Sequence, residues 1–245
     1  MINLEICVDS ISSALNAFLG CANRIELCDN LYCGGTTPSS GTIRHSVKLG
    51  ETFVLIRPRC GDFIYNRIEK DVIIDDIKLA IDYGASGIVC GCLDEYGNID
   101  EDFLEELLKV SDKVDFTFHR AIDMSNNILK NTEILTNYPI KRVLSSGGSQ
   151  TAESGLDNLK EMNRILTGKG ISLIAAGGVR IHNVEKILNH SGVNEIHMTA
   201  FCEKSSISIC QSNVTLDQSG DYKLKITDID KVREVCKLLN NRRSI

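Results

Sequence analysis

The sequence has no block of basic residues longer than Arg242–Arg243, and its 33 acidic against 27 basic side chains leave a net charge of −6. Such a chain carries no electrostatic footprint for nucleic acid or an anionic membrane, which points to small molecules or other subunits as partners. No apolar run approaches the roughly 18 residues that a spanning helix needs. Met1, Ile2, Asn3, Leu4 and Glu5 lack the basic and then apolar character of an export signal, so the sequence reads as cytoplasmic. There is no Cys-x-x-Cys, which excludes zinc ribbons and thioredoxin-type redox centres. His-Glu-x-x-His, Gly-x-Ser-x-Gly and Gly-x-Gly-x-x-Gly are missing too, and Gly168-Lys169 lacks the upstream glycine of a P-loop.

What is present is enough to bury a full core: 245 residues, 42% of them hydrophobic and 24% charged. Ten cysteines (Cys7, Cys21, Cys28, Cys33, Cys60, Cys90, Cys92, Cys202, Cys210, Cys236) read as reduced thiols, many of them buried as small hydrophobes. Short β-branched or apolar runs recur along the whole chain, beginning near Leu4, Arg24, Thr52, Gly87, Asp115, Arg142, Ser172 and Glu195. Their mean spacing of roughly 27 residues is close to that of a βαβ unit. Helical patterns fill the gaps. Asp9 is placed to cap a helix with Ile11, Ala14, Leu15, Phe18 and Leu19 inward; Asp100 caps one with Phe103, Leu104, Leu107 and Leu108 inward. Leu156, Leu159, Met162 and Leu166 form a third stripe, Val184, Ile187 and Leu188 a fourth, and Ile229, Val232, Val235 and Leu239 a last one over 228–240. Eight β/α units without a compositional break predict an α/β fold, a (β/α)8 TIM barrel formed by residues 1–245 as a single domain. The stretch 199–227 is long for a βα loop, and Tyr222, Leu224 and Ile226 alternate as a small strand would; the alternative is a lid.

In such a barrel the chemistry lies at the C-terminal strand ends, so strand parity is informative. Glu195, His197 and Thr199 share one face of the eighth strand, Thr117 and His119 one face of the fifth, Glu5 and Cys7 of the first, Glu26 and Cys28 of the second. Their apolar alternates suit the helix layer, which turns the polar sets inward. Buried carboxylates need cations or metals, and Arg57, Arg59, His119, Arg120 and His197 are the candidate partners. Arginine and histidine beside carboxylates suit a small anionic metabolite, with Arg57 or Arg59 as a bidentate clamp near Asp62. Glu26, His119 and His197 are the candidates for acid–base catalysis. Ser146-Gly147 after the sixth strand and Gly177-Gly178 after the seventh could bring backbone N–H groups to a phosphate. The bland alternatives are a polar barrel filled with satisfied ion pairs and glycines that simply make tight turns.

Leu4–Ser10 (LEICVDS), Arg24–Asn30 (RIELCDN), Gly34–Ser39 (GGTTPS), Arg57–Tyr65 (RPRCGDFIY), Phe116–Met124 (FTFHRAIDM), Ser145–Gly148 (SSGG), Glu195–Ala200 (EIHMTA) and the tail Tyr222–Val235 together resemble the CutC family. The resemblance spans essentially the whole chain and implies a TIM barrel, a role in copper homeostasis, and a cytoplasmic homo-oligomer, a dimer or tetramer. Cys7 and Cys28 match family positions on neighbouring strands, and two thiolates there could hold Cu(I), a soft ion that prefers sulfur. Copper is therefore the metal the resemblance implies, with an anionic metabolite as the other candidate ligand. Departures are few. Ser145-Ser146-Gly147 replaces a common Thr-Ser-Gly, Thr199 replaces a usual serine, Phe201 and Cys202 stand where polar or basic residues are expected, and beside the family pattern Cys33, Cys60, Cys90 and Cys92 look particular to this chain.

Overall fold

The computed structural model describes residues 2–210, 212–214 and 221–242. Eight parallel strands close into a barrel in sequence order: β1 (Asn3–Val8), β2 (Arg24–Leu27), β3 (Thr52–Leu55), β4 (Gly87–Cys90), β5 (Asp115–Phe118), β6 (Arg142–Ser145), β7 (Ser172–Ala175) and β8 (Glu195–Met198). The (β/α)8 architecture expected from the repeat is the one adopted, and seven of the eight strands begin at the expected residue. Around them run α1 (Ile11–Leu19), α2 (Ser40–Ser46), α3 (Arg67–Asp82), α4 (Glu101–Val110), α5 (Ile128–Leu135), α6 (Leu156–Thr167), α7 (Val184–Ser191) and α8 (Ile229–Asn241). No helix among the described residues is long and apolar enough to cross a membrane.

Alternation along each strand builds two cores. Ile6, Ile25, Val54, Ile88, Phe116, Val143 and Ile196 join the apolar layer between barrel and helices. Their neighbours in sequence face the barrel axis, where Cys7, Cys28, Phe53, Leu55 and Val89 form one separate cluster and Leu144, Ile174 and Ala176 another. Gly87 belongs to this interior packing, since a Cβ there would meet the Phe53 ring at 2.1 Å.

The helix stripes hold for α4, α6, α7 and α8, and Asp100 caps α4 through a bond from Phe103 N of 3.1 Å. The first helix departs from expectation. Ser10, not Asp9, is its N-cap, and its buried residues are Ser13, Ala14 and Ala17, while Ile11, Leu15 and Leu19 are exposed. Small side chains face inward because α1 approaches its neighbours closely: Thr227 N donates to Ser13 Oγ, and a Cβ on Gly20 would lie 2.5 Å from Val232 Cβ. The stretch 199–227 contains a hairpin, β9 (Phe201–Ser205) paired antiparallel with β10 (Lys223–Thr227), which packs beside α1. The small strand expected there is β10; residues 211 and 215–220, the middle of the supposed lid, lie outside the described residues.

Candidate active site and metal centre

The register of β1, β2 and β8 builds one side of the barrel interior. Glu5 stands beside Arg24 and His197, and Cys7 beside Glu26. Arg24 bridges Glu5 and Glu195 in a buried triad. His197 Nδ1 lies 2.7 Å from Glu5 Oε1 and its Nε2 3.7 Å from Glu26 Oε2. Burial alone would raise the Glu5 carboxyl, but Arg24 and then His197 outweigh it and hold Glu5 at about 2. Burial also opposes a charged His197, yet Glu26, Cys7 and Glu5 surround the ring and carry its pKa well above the ordinary value. Glu26 is raised, chiefly by burial, with His197 working in the opposite direction.

Above this network sit the two thiols. Cys7 Sγ is 3.6 Å from Cys28 Sγ and 3.1 Å from Glu26 Oε2. The bond to Cys28 and burial both push the Cys7 thiol far up; for Cys28 the bond from Cys7 lowers it, but burial and Glu26 leave it raised. Each therefore rests as a thiol at neutral pH. The candidate ligand atoms of Cys7, Glu26 and Cys28 all lie within 4.8 Å of one another, which makes this a possible metal centre.

A cavity of about 210 Å³ opens over Cys7, Glu26 and His197 and extends to Arg57, His119, Arg120, Gly177, Gly178, Arg180 and Thr199. His119 accepts a bond from Ala121 N on Nδ1, so Nε2 carries its proton, and that atom is buried without a partner among the described residues. Burial, and next the Arg57 cation, depress its pKa to about 3. Gly91 makes room for this ring, since a Cβ there would meet Nδ1 at 2.6 Å. The Cys90-Gly91-Cys92 triplet is thus a gap for a histidine flanked by two buried core thiols.

Several expected contacts fall elsewhere. Arg57 lines the cavity, but its terminal nitrogens are taken by the carbonyls of Cys33 (3.2 Å), Gly35 (2.9 Å) and Gly61 (2.6 Å), so it is not a free bidentate clamp. It ties the loop after β2 to the loop after β3, and a disulfide between Cys33 and Cys60 ties the same two loops, against the expectation that all thiols are reduced. Arg59 and Asp62 pair with each other at 3.0 Å on the surface, and Arg59 also binds Glu69; neither lines the cavity. Glu195 belongs to the Arg24 triad and not to the cavity wall.

The loop after β6 is closed from within. Asp123 accepts bonds from Ser146 N and Gly148 N at 3.0 Å, and from the Ser145 and Ser146 hydroxyls, while Gly147 N donates to Ser145 Oγ. Asp123 also holds Arg120, whose other arm reaches Ser146 Oγ at 2.8 Å. The donors that Ser146 and Gly147 were expected to offer to a ligand already have an internal carboxylate and hydroxyl. Sequence reasoning missed Asp123, Arg24 and Arg180. Arg24 shares parity with Glu26 and could have been found that way, whereas nothing in the sequence brings Asp123 to the next strand's loop.

The chain matches the CutC family over residues 2–202. It is 40% identical over 245 residues to the copper homeostasis protein cutC homolog of Homo sapiens, covering 97% of this chain and 89% of that protein. A solved CutC structure from Streptococcus agalactiae superposes with a TM-score of 0.76 at 29% identity, covering 80% of this chain and 98% of the other. N-(5'-phosphoribosyl)anthranilate isomerase from Pyrococcus furiosus, at 16% identity and a TM-score of 0.57 over 98% of this chain and 100% of its own, shares the barrel fold. With its central motifs, its barrel and its length thus accounted for, the chain belongs to the CutC family.

Proposed function

We propose that this protein binds Cu(I) between the thiolates of Cys7 and Cys28, with Glu26 beside them, and acts in copper homeostasis through that site. The observation that carries the reading is the convergence of two sulfurs and one carboxylate within 4.8 Å of one another. Cu(I) is soft and is satisfied by two or three ligands rich in sulfur, whereas hard cations prefer oxygen. Structural zinc takes four ligands, one more than converge here among the described residues. Cys7 and Glu26 face the cavity, which gives an ion a path from the mouth to the sulfurs. Binding requires both thiols to lose their protons, and Glu26 stands within 3.1 Å of Cys7 Sγ to receive one. The copper homeostasis names of the relatives point the same way.

The test is an anaerobic titration with Cu(I) against a competing chelator. The reduced protein is expected to take up one equivalent, and Cys7→Ser/Cys28→Ser to bind at least about 100-fold more weakly, about 2.7 kcal/mol. Equal affinity in the two proteins would remove the thiols from the site.

A further inference from the structure

Of the chain's three Gly-Gly dipeptides, two stand in equivalent positions, after β6 and after β7, and they differ in what their N–H groups do. Those of Ser146, Gly147 and Gly148 are spent on Asp123 and Ser145. After β7, Ala176 N donates to Ser145 O and Arg180 N to Asn183 Oδ1, but the N–H groups of Gly177, Gly178 and Val179 between them donate to no other described residue. Gly177 and Gly178 have φ of +90° and +68°, a turn that glycine adopts freely, and both line the cavity. Three successive amides without an acceptor among the described residues, all on residues of the cavity wall, are the donor set from which backbone anion-binding concavities are built.

The side chains around this wall are cationic; Arg120 is matched by Asp123 at 2.7 Å, whereas Arg180 and Arg57 have no carboxylate partner among the described residues. Arg180 bonds only the Val179 carbonyl, at 2.7 Å, and has no carboxylate partner among the described residues. Arg120 lies against Gly177, where a Cβ would stand 3.4 Å from its guanidinium. Arg57, 5% exposed, is held by carbonyls and by the Phe63 ring, whose centroid lies 4.7 Å from its guanidinium carbon, and its Nε is buried without a partner among the described residues. His119, 4% exposed, adds a donor at Nε2, likewise unpartnered. The only carboxylate in the cavity wall among the described residues is Glu26, which lies toward the Cys7 end with His197 Nε2 3.7 Å away.

From these we infer that the β7 end of the cavity is a binding site for the phosphate group of a small phosphorylated metabolite, held by the amides of Gly177, Gly178 and Val179 and by Arg180. A dianionic oxyanion matches three successive amides and the Arg180 guanidinium, which has no carboxylate partner among the described residues. The cavity continues past the phosphate position to Glu26 and His197. That leaves room for an organic remainder whose hydroxyl groups meet those two side chains, so the ligand is a phosphate monoester and not the bare ion. The phosphate position itself uses neither sulfur nor Glu26 and is separable from copper binding, whereas the organic remainder shares Glu26 with the copper site.

The experiment is a titration of reduced, metal-free protein with inorganic phosphate and then with glycerol 1-phosphate at constant ionic strength, followed by amide NMR and calorimetry. Saturable shifts are expected at Gly177, Gly178 and Val179, with tighter binding of the ester. Arg180→Ala is expected to weaken both ligands at least tenfold, while Cys7→Ser/Cys28→Ser leaves the affinity for inorganic phosphate unchanged. The Arg180→Ala spectrum, otherwise superimposable on the parent, shows that its fold is intact. Absence of saturable binding, shifts confined to Gly147 and Gly148, or parental affinity in Arg180→Ala would overturn the site. Equal affinity for phosphate and its ester would overturn the assignment to a monoester.

Discussion

The two sides of the cavity are built of opposite chemistry. On β1, β2 and β8 the interior is acidic and sulfur-bearing, and its charges are matched from inside: Glu5 and Glu195 to Arg24, Glu5 and Glu26 to His197. On the loops after β3, β5 and β7 the wall is cationic, and Arg57 and Arg180 have no carboxylate partner among the described residues. Internal matching is the mark of a side that is already complete as folded, where what remains is a pair of soft thiols. The unmatched cations are where we propose that an anion binds. The two sides thus differ in what they leave open: a pair of thiols on one, and Arg57 and Arg180 on the other, whose loops pair Arg120 with Asp123 and Arg59 with Asp62 but leave these two without a carboxylate.

Removing the cation that completes the acidic side should have the largest effect. Arg24→Met leaves two buried carboxylates without it, and a loss of about 3–5 kcal/mol is expected in denaturant unfolding. Next come the sulfurs. Cys7→Ser alone should weaken Cu(I) binding at least about tenfold, about 1.4 kcal/mol, while Arg180→Ala leaves it at the parental value; chelator competition checks both.

Asp123→Ala should convert the sealed loop into a copy of the open one. It strips the acceptor from Ser146 N and Gly148 N, with an expected stability loss of about 1–3 kcal/mol in the same unfolding assay. It should also give the β6 loop amides a phosphate response that the parent lacks, visible by NMR.

Acid separates the two sides by pH window. His119 has a folded pKa depressed to about 3 from 6.5, so the unfolded chain takes up its proton first. Its contribution is present above pH 6.5 and is lost progressively as the pH falls toward 3, by about 1.4 kcal/mol per pH unit. Glu5, held at about 2 against 4.5, has the same sign, but its loss begins only below 4.5. Glu26, raised from 4.5, works with the opposite sign, so the difference is what tests His119: between pH 6.5 and pH 4.5, His119→Phe should lose less stability than the parent. The smallest effect belongs to Arg59→Ala, which removes an exposed pairing with Asp62 and Glu69 and should leave copper and phosphate titrations unchanged.

The barrel was legible because its signal is repeated: each strand is short and β-branched, and strand parity along Glu5-Cys7, Glu26-Cys28 and Glu195-His197 already turned the polar residues inward. The sulfur site followed from the same parity with the family resemblance added. The rim was less legible, since Arg57 and Arg59 lie two residues apart in one motif, yet one points into a cage of carbonyls and the other to Glu69. Only the path of the loop decides between them. The Gly-Gly dipeptides after β6 and β7 likewise read alike, and what distinguishes them is Asp123, a residue on another loop that occupies one and not the other. The α1 stripe failed for a related reason: small inward residues reflect close approach to α8 and β10, which no periodicity records.

The most direct measurement of the central claim is the copper K-edge X-ray absorption spectrum of reduced protein loaded with one equivalent of Cu(I). A first shell containing two sulfur atoms, replaced by oxygen and nitrogen scatterers in Cys7→Ser/Cys28→Ser, is the predicted result. A first shell without sulfur, or a spectrum unchanged by the double substitution, would contradict it.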